Sequence, residues 1–277
     1  MKINTITISE WSQLLDLEPE FGGSVYRGHA NASWELETSI RRTVLNNSVG
    51  YMMDEDQFAF VERMCLRTFR SRAHFYLNHL PNNEDHVAWL AIMQHHGTPT
   101  RLLDFSFSLY VAAYFALINA TTDCCVWAIS DNWLRSQGTD YALQFGVKPS
   151  NDLRFGELAA IYQAANSILG ENNFDADEEA TMPPTVLMLE LDRQIPRLAI
   201  QQGLFLMPTN LKETFMLNLE SMYNEDINKI APITKIVFPY KIRSYALMHL
   251  RMMNITAETL FPGIDGFAAS LIQHEII

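Results

Sequence analysis

Basic residues and cysteines are what this chain has least of. Twenty Lys+Arg stand against 32 Asp+Glu in 277 residues, a formal charge of −12. Duplex affinity comes largely from phosphates neutralised by Lys and Arg, so this balance excludes a whole-surface nucleic-acid binder. It leaves room for a local basic pocket around a small phosphate-bearing molecule. Three cysteines, Cys65, Cys124 and Cys125, are too few for a disulfide framework and lack the Cys-x-x-Cys spacing of a zinc site. Their odd number fits a reducing cytoplasm. No apolar run reaches the roughly 18 residues of a membrane span, and the longest, Leu109 to Ile118, carries two tyrosines. Met1 to Glu10 lacks the basic-then-apolar layout of a signal peptide. Glycine and proline, 12 and 11 residues, are too scarce for a low-complexity chain. There is no internal repeat, and Walker A, GxGxxG, HExxH and GxSxG signatures are absent. These absences describe a soluble cytoplasmic protein without a membrane partner.

What is present is a 48% apolar chain that can bury a large core. Trp11 to Leu17 reads as a short amphipathic helix within an N-terminal helical extension, 1–20. Ser24 to Gly28 reads as a strand. Asp56 to Leu77 is an amphipathic helix with Phe58, Val61, Cys65, Phe69 and Tyr76 on one face and Arg63, Arg67 and Arg70 on the other. With Glu84 to His95 it makes a helical subregion, 51–96, which Gly97 stops. Thr98 to Thr100 is an extended link, and Ser106 is placed to cap a helix from Phe107 to Ala120. Strands follow at Cys124–Ile129, Thr185–Leu191, Gly203–Met207 and Thr234–Phe238, with helices at Phe155–Leu169 and Arg243–Met253. Asn132 to Ser150 gives a weak signal. Glu171 to Asp192 holds seven acids and no base, and within it Asp175 to Glu179 reads as an exposed loop ahead of Pro183-Pro184. Helices and strands mix without a regular βαβ alternation, which predicts an α+β fold in one mixed domain, 1–277.

Three polar clusters interrupt the apolar stretches. Arg27 ends a strand after Val25 and Tyr26, where a guanidinium is costly unless it meets an anion. Its partner is either a ligand or an acid such as Asp104 or Glu35, and Gly28 lets a ligand or backbone come close. Gln94 to Ser106 sets His95, His96, Arg101 and Asp104 around a Gly/Pro-bounded link. Adjacent histidines on a helix point about 100° apart, poor geometry for chelation, so no metal is expected. Arg101 pairing with Asp104, and Asp104 capping the next helix, are the structural alternatives. Arg197 to Phe205 brings Gln201 and Gln202 into an apolar strand through Gly203.

These residues resemble a known family. Val25-Tyr26-Arg27-Gly28, the run Gln94-His95-His96-Gly97-Thr98-Pro99-Thr100-Arg101-Leu102-Leu103-Asp104-Phe105-Ser106, and Ala112-Ala113-Tyr114-Phe115-Ala116 resemble the FRG domain, named for its Phe/Tyr-Arg-Gly element. Arg197 with Gln201 to Phe205 is similar to its third motif, and Leu260-Phe261-Pro262-Gly263-Ile264-Asp265-Gly266 to its C-terminal one. The likeness runs from about Tyr26 to Phe267. His96 departs from the commoner aromatic, and Phe105-Ser106 from Trp-Thr. The same elements are more distantly similar to arginine-type ADP-ribosyltransferases. That similarity implies an ADP-ribosyltransferase-like fold, a helical N-terminal half on a small split sheet, with NAD as substrate.

It also implies roles. Tyr26, Arg27 and Gly28 would hold the NAD diphosphate, with Arg101 adding a phosphate contact or bracing the site. Ser106 would stand for the middle serine. His95 or His96 would serve as acid/base, Asp104 would orient a histidine or support positive charge on the ribose, and Gln201 and Gln202 would hold ribose hydroxyls. No glutamate lies in Arg197 to Met207, a departure from the transferase pattern, and an amide carries no charge to a cationic centre. The expected protein is an NAD-dependent ADP-ribosyltransferase or NAD glycohydrolase, suited to a toxin or phage-defence role, with a small anionic nucleotide as partner. Nucleic acid enters only as a modification target, by way of the Arg63, Arg67, Arg70 face. The alternative is a non-catalytic nucleotide- or protein-binding module.

Overall fold

The structure, a computed structural model, describes residues 3–47, 57–150, 155–170, 182–191, 195–224 and 232–276. Most of the acidic run, including Asp175 to Glu179, lies outside them. Among the described residues seven strands form one mixed sheet in the order β1-β7-β4-β2-β3-β6-β5. These are β1 (Asn4–Thr7), β2 (Ser24–His29), β3 (Leu103–Ser106), β4 (Cys124–Ser130), β5 (Val186–Leu189), β6 (Gly203–Pro208) and β7 (Ile233–Phe238). Only β1 and β7 run parallel; the other neighbours are antiparallel. The architecture is α+β as expected, but the sheet is not small.

Alternation along the strands builds two cores. Cys124, Val126 and Ala128 of β4 face a layer with Tyr26, Ile236 and the helices α5 (Leu109–Ile118) and α10 (Arg243–Met252). Cys125, Trp127 and Ile129 face the other way, toward α6 (Asp131–Gln144) and α9 (Phe215–Ser221). A third cluster joins the far end of the sheet to α3 (Gln57–Ala73), α4 (His86–His95) and α7 (Gly156–Leu169). The three cysteines are unpaired, and burial pushes the thiol of Cys124 up to about 12 and that of Cys125 to about 11. Neither is a thiolate nucleophile at neutral pH. Among the described residues no helix is long and apolar enough to cross a membrane.

Three expectations change. The N-terminus is not a helical extension: β1 pairs along its length with β7, Asn4 against Thr234 to Thr7 against Val237, before α1 (Ser12–Leu17) begins. Its four residues alternate too briefly for a period to show. Ser106 does not cap a helix. It closes β3, and Ser108 caps α5 by accepting from the Val111 N–H at 3.3 Å. On α3 the buried face is Phe58, Ala59, Glu62, Leu66 and Ala73, while Tyr76 is exposed. The helix is rotated from the apolar stripe because a carboxylate, Glu62, has a partner inside.

That partner is Arg101. Its Nε meets Glu62 Oε2 at 2.5 Å and its backbone N–H donates to Oε1 at 2.5 Å, with both side chains less than 5% exposed. The guanidinium expected to pair with Asp104 or reach a phosphate instead fastens the Thr98–Leu102 link to α3. Arg70 is likewise partly engaged, donating to the Asn83 carbonyl at 3.0 Å and lying over Trp89.

Candidate functional site

The sheet has a weak seam. β2 and β4 pair over six residues, but β2 and β3 pair only at Tyr26 and Ser106. Continuing that antiparallel register would set Gly28 against Asp104. Instead Arg27 reaches across, and its Nη1 donates to the Asp104 carbonyl at 2.5 Å. A guanidinium thus satisfies an acceptor that a ladder amide would have taken, and the strands part around it.

Gly28 lets α5 pack directly onto β2 at this point. A Cβ on it would lie 2.0 Å from the Ala112 carbonyl and 2.5 Å from the Ala116 nitrogen. The close approach anticipated at this glycine is made by the backbone of α5. The Ala112, Ala113 and Ala116 run lets the helix sit this deep, since none of the three carries a side chain longer than a methyl.

A cleft of about 980 Å³ opens at the seam. Tyr26, Arg27, Gly28, His95, Asp104, Ser106 and Gln201 all line it, whereas His96, Arg101 and Gln202 do not. An adjoining pocket of about 300 Å³ shares Arg27, Glu37, Arg42, Gln94 and Asp104 with it.

Arg27 is the centre of this arrangement. Its side chain is 19% exposed and its Nη1 lies 3.9 Å from Asp104 Oδ2. Its Nε donates to Nε2 of His29 at 3.3 Å, which leaves the His29 proton on Nδ1. Among the described residues its Nη2 makes no hydrogen bond. Burial pulls the guanidinium pKa down and Asp104 pulls it back, the signature of a cation only partly compensated.

Asp104 projects into the cleft from β3, whose other residues are buried. Gln94 Nε2 holds its Oδ1 at 3.0 Å, and Thr100 Oγ1 in turn donates to Gln94 Oε1. Histidine 95 sits at the exposed end of α4, its pKa lowered by burial first and then by His96 and Arg197, so it is a neutral base at neutral pH. The His95 and His96 rings stand edge to face, 5.0 Å apart. Among the described residues no group of three or more His, Cys, Asp and Glu could hold a metal ion.

Two predicted site residues also make bracing hydrogen bonds. Ser106 is buried; its hydroxyl donates to the Gln201 carbonyl at 2.7 Å and accepts from the Ser108 N–H at 2.9 Å. It ties β3 to the turn before β6. The Gln201 Nε2 donates to the Leu260 carbonyl at 3.0 Å, fixing α11 (Ala257–Leu260), and its Oε1 accepts no hydrogen bond among the described residues. Gln202 takes a positive φ of 49°, and its carbonyl accepts from Phe107 at 2.9 Å. It is a turn residue.

Comparison with known protein families bears on the residues at this seam. Residues 22–124 match the FRG domain. This chain carries an FRG domain. No curated protein and no solved structure matches the chain. The matched FRG segment contains Arg27, Gln94, His95, Asp104 and Ser106; the Arg197–Phe205 and Leu260–Gly266 motifs lie beyond it. Of those later motifs, Arg197 and Gln201 line the same cleft, and Leu260 is tied to it through Gln201.

Several FRG cleft residues carried no signal of function in the sequence. Trp34, His29, Glu37 and Arg42 line the cleft but belong to no motif with a recognisable spacing. Arg42 donates to the Glu37 carbonyl at 2.8 Å, and the Glu37 carboxylate lies 3.3 Å from Arg41. Arg197 lies 4.4 Å over Phe261, which meets Phe115 edge-on at 5.9 Å, an aromatic wall ending in a cation.

Proposed function

We propose that the cleft binds NAD or a related nucleotide and that the chain acts as an ADP-ribosyltransferase-like, NAD-consuming enzyme, with the whole of 1–277 as one functional unit. The observation that carries this reading is Arg27: a mostly buried guanidinium, held at the seam by Asp104 and His29, with one terminal nitrogen unspent. A buried cation of this kind is stable where an anion completes it, and a planar fork suits a diphosphate. Two compartments share Arg27, as a diphosphate with a group on either side requires. The overall acidity of the chain opposes a polyanion but not this small ligand.

A bound NAD would supply the bond between nicotinamide and ribose. Asp104, held by Gln94, would place a carboxylate against positive charge developing on the ribose. His95, neutral at pH 7, would take the proton from the acceptor hydroxyl, amine or water. Gln201 would offer its Oε1 to a ribose hydroxyl. The toxin or phage-defence role belongs to the same proposal, because NAD consumption would arrest the cell.

The test is to incubate pure protein with NAD and acceptors. Nicotinamide release and an NAD-induced rise in melting temperature are expected; absence of both overturns the proposal. The second reading is a non-catalytic nucleotide-binding module. It is favoured by the commitment of the Gln201 amide to Leu260 and by the missing glutamate. A melting shift without nicotinamide release would select it.

A further inference from the structure

We infer that Trp34 is the platform on which the aromatic ring of the ligand stacks, so that the cleft selects phosphates carrying a nucleobase-like ring over bare phosphates. The inference rests on the anion-site reading of Arg27 and adds to it the class of the attached group.

Trp34 is 55% exposed, whereas Trp11, Trp89, Trp127 and Trp133 are exposed by 1%, 3%, 2% and 8%. Leaving a large indole in water forgoes the burial that the other four obtain. The turn that carries it is also fixed. Asn31 Oδ1 accepts from the Ser33 N–H at 2.8 Å and from the Ser33 hydroxyl at 2.7 Å. The Trp34 N–H donates to the Asn31 carbonyl at 3.2 Å, and Ala32 N–H donates to the Asp123 carbonyl at 2.8 Å, anchoring the turn to the start of β4. Leu36, buried, pins the other side. A turn already fixed has little backbone entropy left to lose when a ring stacks on the indole it carries.

Its position gives the ring a direction. Trp34 lines the same cleft as Arg27 and meets His29 edge-on with ring centroids 6.2 Å apart. His29 in turn accepts from Arg27. The row Trp34, His29, Arg27 therefore sets an aromatic face beside a phosphate-binding cation, with one side chain between them. That order of groups matches a ring joined through a sugar to a phosphate. Stacking on an exposed aromatic is tolerant of base identity, so adenine and nicotinamide rings are both accommodated.

The experiment titrates the full chain with ADP and with inorganic pyrophosphate by calorimetry, and follows acrylamide quenching of tryptophan fluorescence. ADP is expected to bind wild type more tightly than pyrophosphate and to shield the quenchable indole. Trp34→Ala should weaken ADP by roughly five- to 150-fold and leave pyrophosphate unchanged, while Trp34→Phe retains most of the ADP affinity. If Trp34→Ala binds ADP as wild type does, while Arg27→Ala loses both probes, the platform is overturned and the anion site stands. If wild type binds neither probe, the anion site falls and the platform with it.

Discussion

His29 shows how one side chain records the charge of the site. Burial first, and Arg27 second, push its pKa down to about 3, against about 6.5 in an unfolded chain. The unfolded state therefore binds the extra proton below pH 6.5. The stability tied to neutral His29 is whole above that pH and is lost as pH falls from 6.5 toward 3, by about 1.4 kcal/mol per pH unit. Urea denaturation of wild type and His29→Gln should show stability curves that converge on acidification, with wild type losing about 2 kcal/mol more by pH 5. Parallel curves would mean that His29 is protonated in the folded protein. At this scale the sequence spoke clearly for Arg27 and Asp104, because a charge among apolar residues demands a partner. It misplaced Arg101, because the partner Glu62 lies 39 positions away on a helix whose buried face the sequence reading drew through apolar residues alone.

Between β2 and α5 the decisive contact is backbone against backbone. The Ala112 carbonyl sits where a Gly28 Cβ would go, so Gly28→Ala must push the helix off the strand. Overpacking of this kind costs about 1–3 kcal/mol, and chemical denaturation should register it. Because the displaced helix also carries Phe115 into the cleft, ligand affinity should fall together with stability. An unchanged midpoint would contradict the packing described. Most elements were legible from hydrophobic periodicity, α4 and β4 among them. The two missed strands, β1 and β3, are four residues each, and their pairing partners are distant in sequence. β3 looked like a link and a cap because Asp104 and Ser106 are common capping residues; what makes it a strand is pairing with β6 from Leu103–Leu206 to Ser106–Gly203.

Across the whole molecule, the cleft exists because the seven-stranded sheet is nearly two sheets. A four-stranded part, β1-β7-β4-β2, and a three-stranded part, β3-β6-β5, meet through one residue pair and the Arg27 guanidinium. Motifs scattered from Tyr26 to Leu260 converge on that seam, and the sequence announced their convergence without the means. The means is topological: β3 and β6 are neighbours, so Asp104 and Gln201, far apart in the sequence, reach the same cleft. Trp34 and Arg42 stayed invisible because an exposed tryptophan and an exposed arginine have no sequence pattern until the fold sets them beside Arg27.

The central claim is that the seam is a diphosphate site built on Arg27. Its most direct test is calorimetric titration of ADP-ribose into wild type and Arg27→Lys, a substitution that keeps the charge and one donor for the Asp104 carbonyl but removes the fork. The account predicts one ADP-ribose per chain, bound about 10- to 150-fold more weakly by Arg27→Lys, with the melting temperature of the free protein little changed. Equal affinity in the two proteins, or no binding by wild type, would contradict it.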